Sequence, residues 1–286
     1  MTVQRKYTFA DGKSLVLGKR TLVMGILNIT PDSFSDGGKF NSRDKALHHL
    51  EEMVKAGADI IDVGAESSRP GFTPMPAHEE IERLMPILEE ILKFSPVPVS
   101  VDTFKAETAR VAAQAGVHIL NDIWGLQYDA EPGAMAGVAA EYGLPVIVMH
   151  NQNGTAYTGD IIEVMQGFYR DSLRIGQEAG MKDEQFILDP GIGFGKTVEQ
   201  NVEVLQRQEE LLQVDGREYP LLLATSRKSF IGKTLGLPVE ERMEATGATC
   251  VLGIVKGASI VRVHDVQPIA RMCRMTDVIL RSGKNG

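Results

Sequence analysis

Short apolar runs that each end on polar side chains recur along the whole chain. Val23-Met24-Gly25-Ile26-Leu27 runs into Asn28, and Ile60-Ile61-Asp62-Val63-Gly64 into Glu66, Ser67, Ser68 and Arg69. The run at 97–101 ends at Asp102, that at 117–120 at Asn121 and Asp122, and that at 146–149 at His150 and Asn151. Residues 186–188 lead to Asp189, 221–223 to Ser226, Arg227 and Lys228, and 260–261 to Arg262 and His264. A short apolar run bounded by turn signals reads as a strand buried on both faces, as in a parallel sheet. Eight such runs predict eight strands whose exits share one polar rim.

Amphipathic stretches of helical period lie between the strands. Ala46, Leu47, Leu50, Met53 and Val54 form one stripe, and Ile81, Leu84, Leu88 and Ile91 another. Further helices are expected around 105–115, 134–142, 161–179, 198–212, 240–256 and 266–281. Alternation of this kind predicts an α/β fold, a single (β/α)8 TIM barrel, which takes about 250 residues of the 286 present. No linker or composition break divides residues 1–286, so one domain is expected. Tyr7-Thr8-Phe9 and Ser14-Leu15-Val16-Leu17 flank Asp11-Gly12, a hairpin signal within the first 20 residues. That hairpin is expected to plug the N-terminal end of the barrel. The long polar segments at 28–38 and 67–76, after the first two strands, read as lids or binding loops.

The net charge of −8 disfavours nucleic acid or an anionic membrane as a partner. An anionic small molecule would then need local cations working against the overall field, and Arg69, Lys228, Arg262 and His264 supply them at the rim. No apolar stretch approaches the roughly 18 residues of a membrane span, and the N-terminus shows no apolar signal core. Cys250 and Cys273, the two cysteines, suggest neither a disulfide framework nor a zinc site, so a cytoplasmic location is expected.

Several segments carry candidate chemistry. Gly191-Ile192-Gly193-Phe194-Gly195-Lys196-Thr197 has Pro190 where a Walker loop needs glycine, and its glycines miss the dinucleotide spacing. It reads instead as a tight loop that lets backbone approach a ligand. Ser226-Arg227-Lys228-Ser229 opens a short helix and offers an anion site at Ser229, or else a surface basic cluster. Arg262 and His264 alternate on the last strand and so share a face, while Asp265 is assigned a structural role. Asp102, Asn121 and Asp189, at three exits, would converge on the barrel axis and could read a ring bearing several N–H donors and acceptors. The alternative role for either aspartate, or for Thr103 beside Asp102, is to cap the following helix. His48, His49 and His78 read as solvated, Cys250 and Cys273 as packing residues, and His150 as a wall histidine.

Taken together, these blocks resemble the dihydropteroate synthase family. The segments that carry the resemblance are Met24 to Gly38, Asp62-Val63-Gly64-Ala65-Glu66-Ser67-Ser68-Arg69-Pro70-Gly71, Val101-Asp102-Thr103, Asn121-Asp122-Ile123, Asp189-Pro190-Gly191, Ser226-Arg227-Lys228-Ser229 and Arg262-Val263-His264-Asp265-Val266. The resemblance implies a homodimeric barrel that joins 6-hydroxymethyl-7,8-dihydropterin diphosphate to 4-aminobenzoate in folate biosynthesis, uses Mg²⁺ and is a sulfonamide target. It implies that Asp102, Asn121, Asp189, Lys228 and Arg262 hold the pterin, and that Asn28, Arg262 and His264 meet the diphosphate, with Asn28 near the metal. Ser68, Arg69, Pro70, Phe194, Lys228 and Ser229 would frame 4-aminobenzoate. The catalytic set would be Asp102, Lys228, Arg262 and His264, with diphosphate leaving before the amine attacks. Ala65, Ser68 and Ala224 depart from the family pattern of glycine, threonine and glycine. Two other readings are a pterin-binding methyltransferase barrel and a catalytically silent pterin binder; intact Asn28, Arg69, Lys228, Arg262 and His264 argue against silence.

Overall fold

The computed structural model describes residues 3–29, 38–66 and 73–281. An antiparallel hairpin of β1 (Arg5–Thr8) and β2 (Ser14–Leu17) comes first. The repeating unit then begins with β3 (Leu22–Asn28), β4 (Ile60–Gly64), β5 (Val99–Asp102), β6 (Ile119–Asp122), β7 (Val146–Met149) and β8 (Phe186–Asp189). A two-residue hairpin, β9 (Gln213–Val214) and β10 (Arg217–Glu218), precedes β11 (Leu222–Leu223) and β12 (Ile260–Val263). The eight long-range strands form one parallel sheet in the order β11-β12-β3-β4-β5-β6-β7-β8. A parallel bridge between Leu188 and Leu221 joins its two edges and closes the barrel. The (β/α)8 barrel expected from the alternation is therefore present.

Around the sheet lie α1 (Gly38–Ala56), α2 (Ala77–Phe94), α3 (Ala106–Gln114), α4 (Ala134–Tyr142), α5 (Ile161–Glu178), α6 (Val198–Gln206), α7 (Ser229–Leu235), α8 (Met243–Val255) and α9 (Val266–Arg281). Local chemistry sets their starts. Asp160 accepts hydrogen bonds from the Ile162 and Glu163 amides at the start of α5, and Thr197 and Gln200 form a reciprocal capping box on α6. The helix expected at 198–212 instead ends at Gln206. A tighter turn follows at Gln208–Leu211, because the buried Gln208 amide donates to the Gly253 and Lys256 carbonyls at the end of α8. The helix expected from 240 begins at Met243, after a short turn at Val239–Glu241.

Each strand shows one parity to the helices and the other to the barrel axis. Val23, Ile61, Val99, Leu120, Val146, Leu188 and Val261 pack outward against the helices. Met24, Ile60, Ile119, Ile147, Ile187, Leu222 and Ile260 fill the lower barrel and meet Tyr7, Leu15 and Leu17 of the hairpin. The hairpin thus plugs the lower end, where His118 Nε2 lies 3.0 Å from Asp11 Oδ2 and ties the two together.

Candidate active site

The inward parity changes chemistry along its length. Two residues above Ile60, Ile119, Ile187 and Ile260 stand Asp62, Asn121, Asp189 and Arg262, and Asp102 follows the buried Ser100 in the same parity. The polar upper layer is the direct continuation of the apolar lower one, one pleat higher.

Arg262 is the hub of this layer. Its Nε donates to Asp62 Oδ2 at 2.6 Å and its Nη2 to Asp102 Oδ2 at 2.7 Å. Asn121 Nδ2 donates to the same Asp62 oxygen at 3.1 Å. Asp62 is fully buried, and its Oδ1 has no hydrogen-bond partner among the described residues. Burial works against the Arg262 charge, but Asp62 and Asp102 outweigh it and hold the guanidinium charged. Burial pushes the Asp102 carboxyl up to about 7, against the pull of Arg262 and with Asp62 adding to the rise. Neither Asp102 nor Thr103 caps α3; the Ala106 amide donates to Glu131 Oε2 instead.

A second group faces the first across the mouth. Burial raises the Asp189 carboxyl, opposed first by the Lys228 charge. Asp189 Oδ1 accepts from the Gly191 amide at 2.7 Å and so holds the β8 exit loop without capping α6. Lys228 donates to the Ile192 carbonyl, and its Nζ lies 4.6 Å from the centre of the Phe194 ring. Burial pulls Lys228 down to about 8, with Asp189 resisting. Gly193, at φ +85°, lies so close that an added Cβ would be 2.9 Å from Lys228 Cδ, so backbone does approach the site there.

The neighbouring cations divide by role. Arg227 sits at φ +56°, and its guanidinium forks onto Asp265 at 2.6 and 2.9 Å. Its amide donates to Thr246 Oγ1 and its carbonyl accepts from Arg242. This left-handed residue is held from three sides, and the chain beyond it turns Lys228 toward the mouth. Asp265 is structural, as expected. His264 lies just beyond β12 in the same parity as Arg262, with its Nδ1 2.9 Å from Ser226 Oγ and its amide donating to that hydroxyl. Asn28, at the end of β3, and Ser229, at the start of α7, are exposed. Ser68, Arg69 and Pro70 lie outside the described residues, as do most of the two long loops.

His150 is a wall residue: 1% exposed, packed edge-on against Phe168 and in contact with Lys196. Cys250 and Cys273 are buried free thiols, and His48, His49 and His78 are exposed. Asp62 is the residue that reading the strand exits missed. Its signal was an aspartate inside an apolar strand, in the parity of the inward Ile60. A cavity of about 630 Å³ lies at the opposite end, beside the hairpin, where Lys13 pairs with Asp11 and Arg20 with Asp59. The convergent polar groups, not cavity size, mark the upper rim as the site.

Carboxylates and an amide facing two half-buried cations can together read the donor and acceptor edges of a flat polar ring. The class that fold and rim define is thus a barrel enzyme binding a small heteroaromatic ligand. The sequence profile of a family described as pterin binding enzyme matches residues 24–264. A dihydropteroate synthase of Clostridium beijerinckii is 51% identical over 270 residues, 94% of this chain and 98% of that protein. The solved dihydropteroate synthase of Clostridium difficile, crystallised with pteroic acid, superimposes with a TM-score of 0.88 at 49% identity, covering 93% of this chain and 98% of the other. That of Yersinia pestis, in a sulfonamide complex, gives 0.86 at 38% identity, covering 97% and 100%. The chain belongs to the dihydropteroate synthase family of pterin-binding enzymes.

Proposed function

We propose that the protein joins 6-hydroxymethyl-7,8-dihydropterin diphosphate to 4-aminobenzoate, giving 7,8-dihydropteroate and diphosphate. The observation that carries this reading is the convergence of Asp102, Asn121, Asp189, Lys228 and Arg262 on one mouth, with Asp62 joining Asn121 to Arg262. In this reading the carboxylates and Asn121 accept from and donate to the pterin edge, Lys228 and Asp189 close its far side, and Arg262 lies along its face. Arg262 and His264 receive the diphosphate. Phe194, Lys228 and Ser229 frame 4-aminobenzoate together with Ser68, Arg69 and Pro70, and sulfonamides compete there.

The reaction needs no protein nucleophile. The C–O bond of the substrate methylene breaks and diphosphate leaves with the electron pair. The cation left on the methylene is delocalised into the pterin and faced by the Asp102 carboxylate. The amine nitrogen then forms the C–N bond and loses one proton, which balances the protonation of diphosphate. Arg262 and His264 stabilise the charge that develops on the leaving oxygen.

Mg²⁺ belongs to the proposal through the chemistry of the donors. Among the described residues, no group of three or more His, Cys, Asp or Glu side chains could hold a metal. The exposed Asn28 amide oxygen fits an ion held mainly by substrate phosphate oxygens and water. Bound there, Mg²⁺ would neutralise charge on the diphosphate. Chelation with EDTA should therefore weaken binding of the pterin diphosphate alone, and added Mg²⁺ should restore it, as measured by calorimetry.

A homodimer through the C-terminal helices is proposed from the exposed apolar side chains Leu252 and Val255 on α8 and Met275, Val278 and Ile279 on α9. No helix of the described residues is long and apolar enough to cross a membrane. Two buried free thiols support a reducing cytoplasmic setting. The deciding experiment is diphosphate release from purified protein with both substrates and Mg²⁺. Release that depends on 4-aminobenzoate and is lost in Lys228→Ala and Arg262→Ala is expected. Pterin binding without release from the wild type would leave a silent binder.

A further inference from the structure

The β8 exit loop, Gly191 to Gly195, has its backbone polar groups taken up from several directions. Asp189 accepts from the Gly191 amide, Lys228 donates to the Ile192 carbonyl, Asn201 Oδ1 accepts from the Gly193 amide at 2.6 Å, and Tyr157 donates to the Gly195 carbonyl at 2.9 Å. The Phe194 amide donates to the Gly191 carbonyl at 3.0 Å within the loop, and further contacts come from Lys196, a lysine 8% exposed. Its ammonium lies 2.9 Å from His150 Nδ1, 3.1 Å from the Gly191 carbonyl and 3.1 Å from the Phe194 carbonyl. Three acceptors match the three N–H donors of an ammonium, and none of them is a carboxylate.

The placement of that ammonium is informative. It binds the first residue of the loop and the residue carrying the aromatic ring to the exit of β7. Gly191 is pressed so tightly against this exit that an added Cβ would stand 1.9 Å from the His150 carbonyl oxygen. Phe194 in turn lies against the Lys228 ammonium. We propose that Lys196 is a positioning residue for the second substrate: bridging Gly191, Phe194 and His150, it fixes the Phe194 ring beside Lys228 and so sets one wall of the aromatic-amine pocket. The inference rests on the proposed reaction for its substrate, but the loop geometry it describes does not. A buried lysine without an acid in contact is costly to keep, and burial, followed by the nearby Lys228 charge, pulls Lys196 down to about 7. A methionine would fill the same space without that cost but would make none of the three contacts.

The test uses the protein and three variants: Lys196→Met, His150→Leu and His150→Asn, in the last of which a side-chain carbonyl takes the place of Nδ1 as acceptor. In Lys196→Met and His150→Leu, KM for 4-aminobenzoate should rise about tenfold while kcat changes less than about threefold. His150→Asn should stay near wild type. Without substrates, amide exchange at Gly193 and Phe194 should quicken about tenfold in the first two variants, with the β5 and β6 amides unchanged. Unchanged exchange in that loop, or equal loss in kcat and both KM values, would overturn the inference. An inactive wild type whose loop still responds in exchange would count against the proposed reaction and leave the loop geometry standing. If Lys196→Met does not fold, the two His150 variants carry the comparison.

Discussion

Asp102 shows how one side chain can be set for its task by its surroundings. Two oppositely directed effects act on it, burial raising its proton affinity and Arg262 lowering it, and burial wins, leaving the carboxyl near 7. If the anion is the form that steadies a cationic pterin, activity requires the deprotonated group. The sign follows directly: below about 7 the carboxyl takes up a proton, and kcat/KM for the pterin substrate should fall on the acid side. Lys228, pulled down to about 8 by burial, sets an alkaline limb in the same profile when it loses its charge. Asp102→Asn should cost about 3 kcal/mol in transition-state stabilisation, roughly a hundredfold in kcat, and should abolish the acid limb. A steady-state pH profile of both proteins checks this. An acid limb that survives in the variant would assign it to another group.

The strands and the hairpin divide stability from chemistry. The lower inward layer is apolar apart from Ser100 and is closed off by Tyr7, Leu15 and Leu17, whereas the next pleat upward carries Asp62, Asp102, Asn121, Asp189 and Arg262. Leu17 is fully buried in that plug. Leu17→Ala should therefore destabilise the fold by about 3 kcal/mol through lost burial and a residual cavity. Its kcat/KM should stay within about twofold of wild type, because no group of the rim is touched. Urea unfolding beside steady-state kinetics separates the two effects. The short turn after β11 works the other way. There Arg227, at positive φ, is held by Asp265, Thr246 and Arg242, so an ion pair on the outer side directs the chain that delivers Lys228.

The molecule as a whole carries more acid than base, at −8, yet gathers Lys228, Arg262 and His264 at one end of the barrel. Long-range attraction contributes little to capturing a diphosphate under those conditions, and the local cations must suffice. The other whole-molecule feature is the apolar strip on α8 and α9, where Val255 is 53% and Ile279 65% exposed. Sedimentation should give twice the mass of the 31.2 kDa chain, and Ile279→Asp should move it toward a single chain. A monomeric wild type at micromolar concentration would remove the homodimer from the proposal.

Much of this protein was legible in the order of its residues. The eight barrel strands, most of the helices, the N-terminal hairpin and the rim follow from local periods of two and 3.6 residues and from turn chemistry, each written within a dozen neighbouring positions; the small β9–β10 hairpin and the ends of α6 and α8 do not. Asp102, Asn121, Asp189 and Arg262 were visible because polar groups at the ends of apolar runs break the pattern. The pattern did not contain distance. Arg262 reaches Asp62 and Asp102 from 200 and 160 residues away, and a strand's own residues do not reveal which strand closes beside it. For the same reason Asp62 passed as part of an apolar run until its parity placed it inward beside Arg262. Burial was equally hidden: Lys196 reads as one more charged loop residue, and only the packing of β7 against the β8 exit encloses it. Side-chain direction can be read from local sequence, but depth and partnership are properties of the closed barrel.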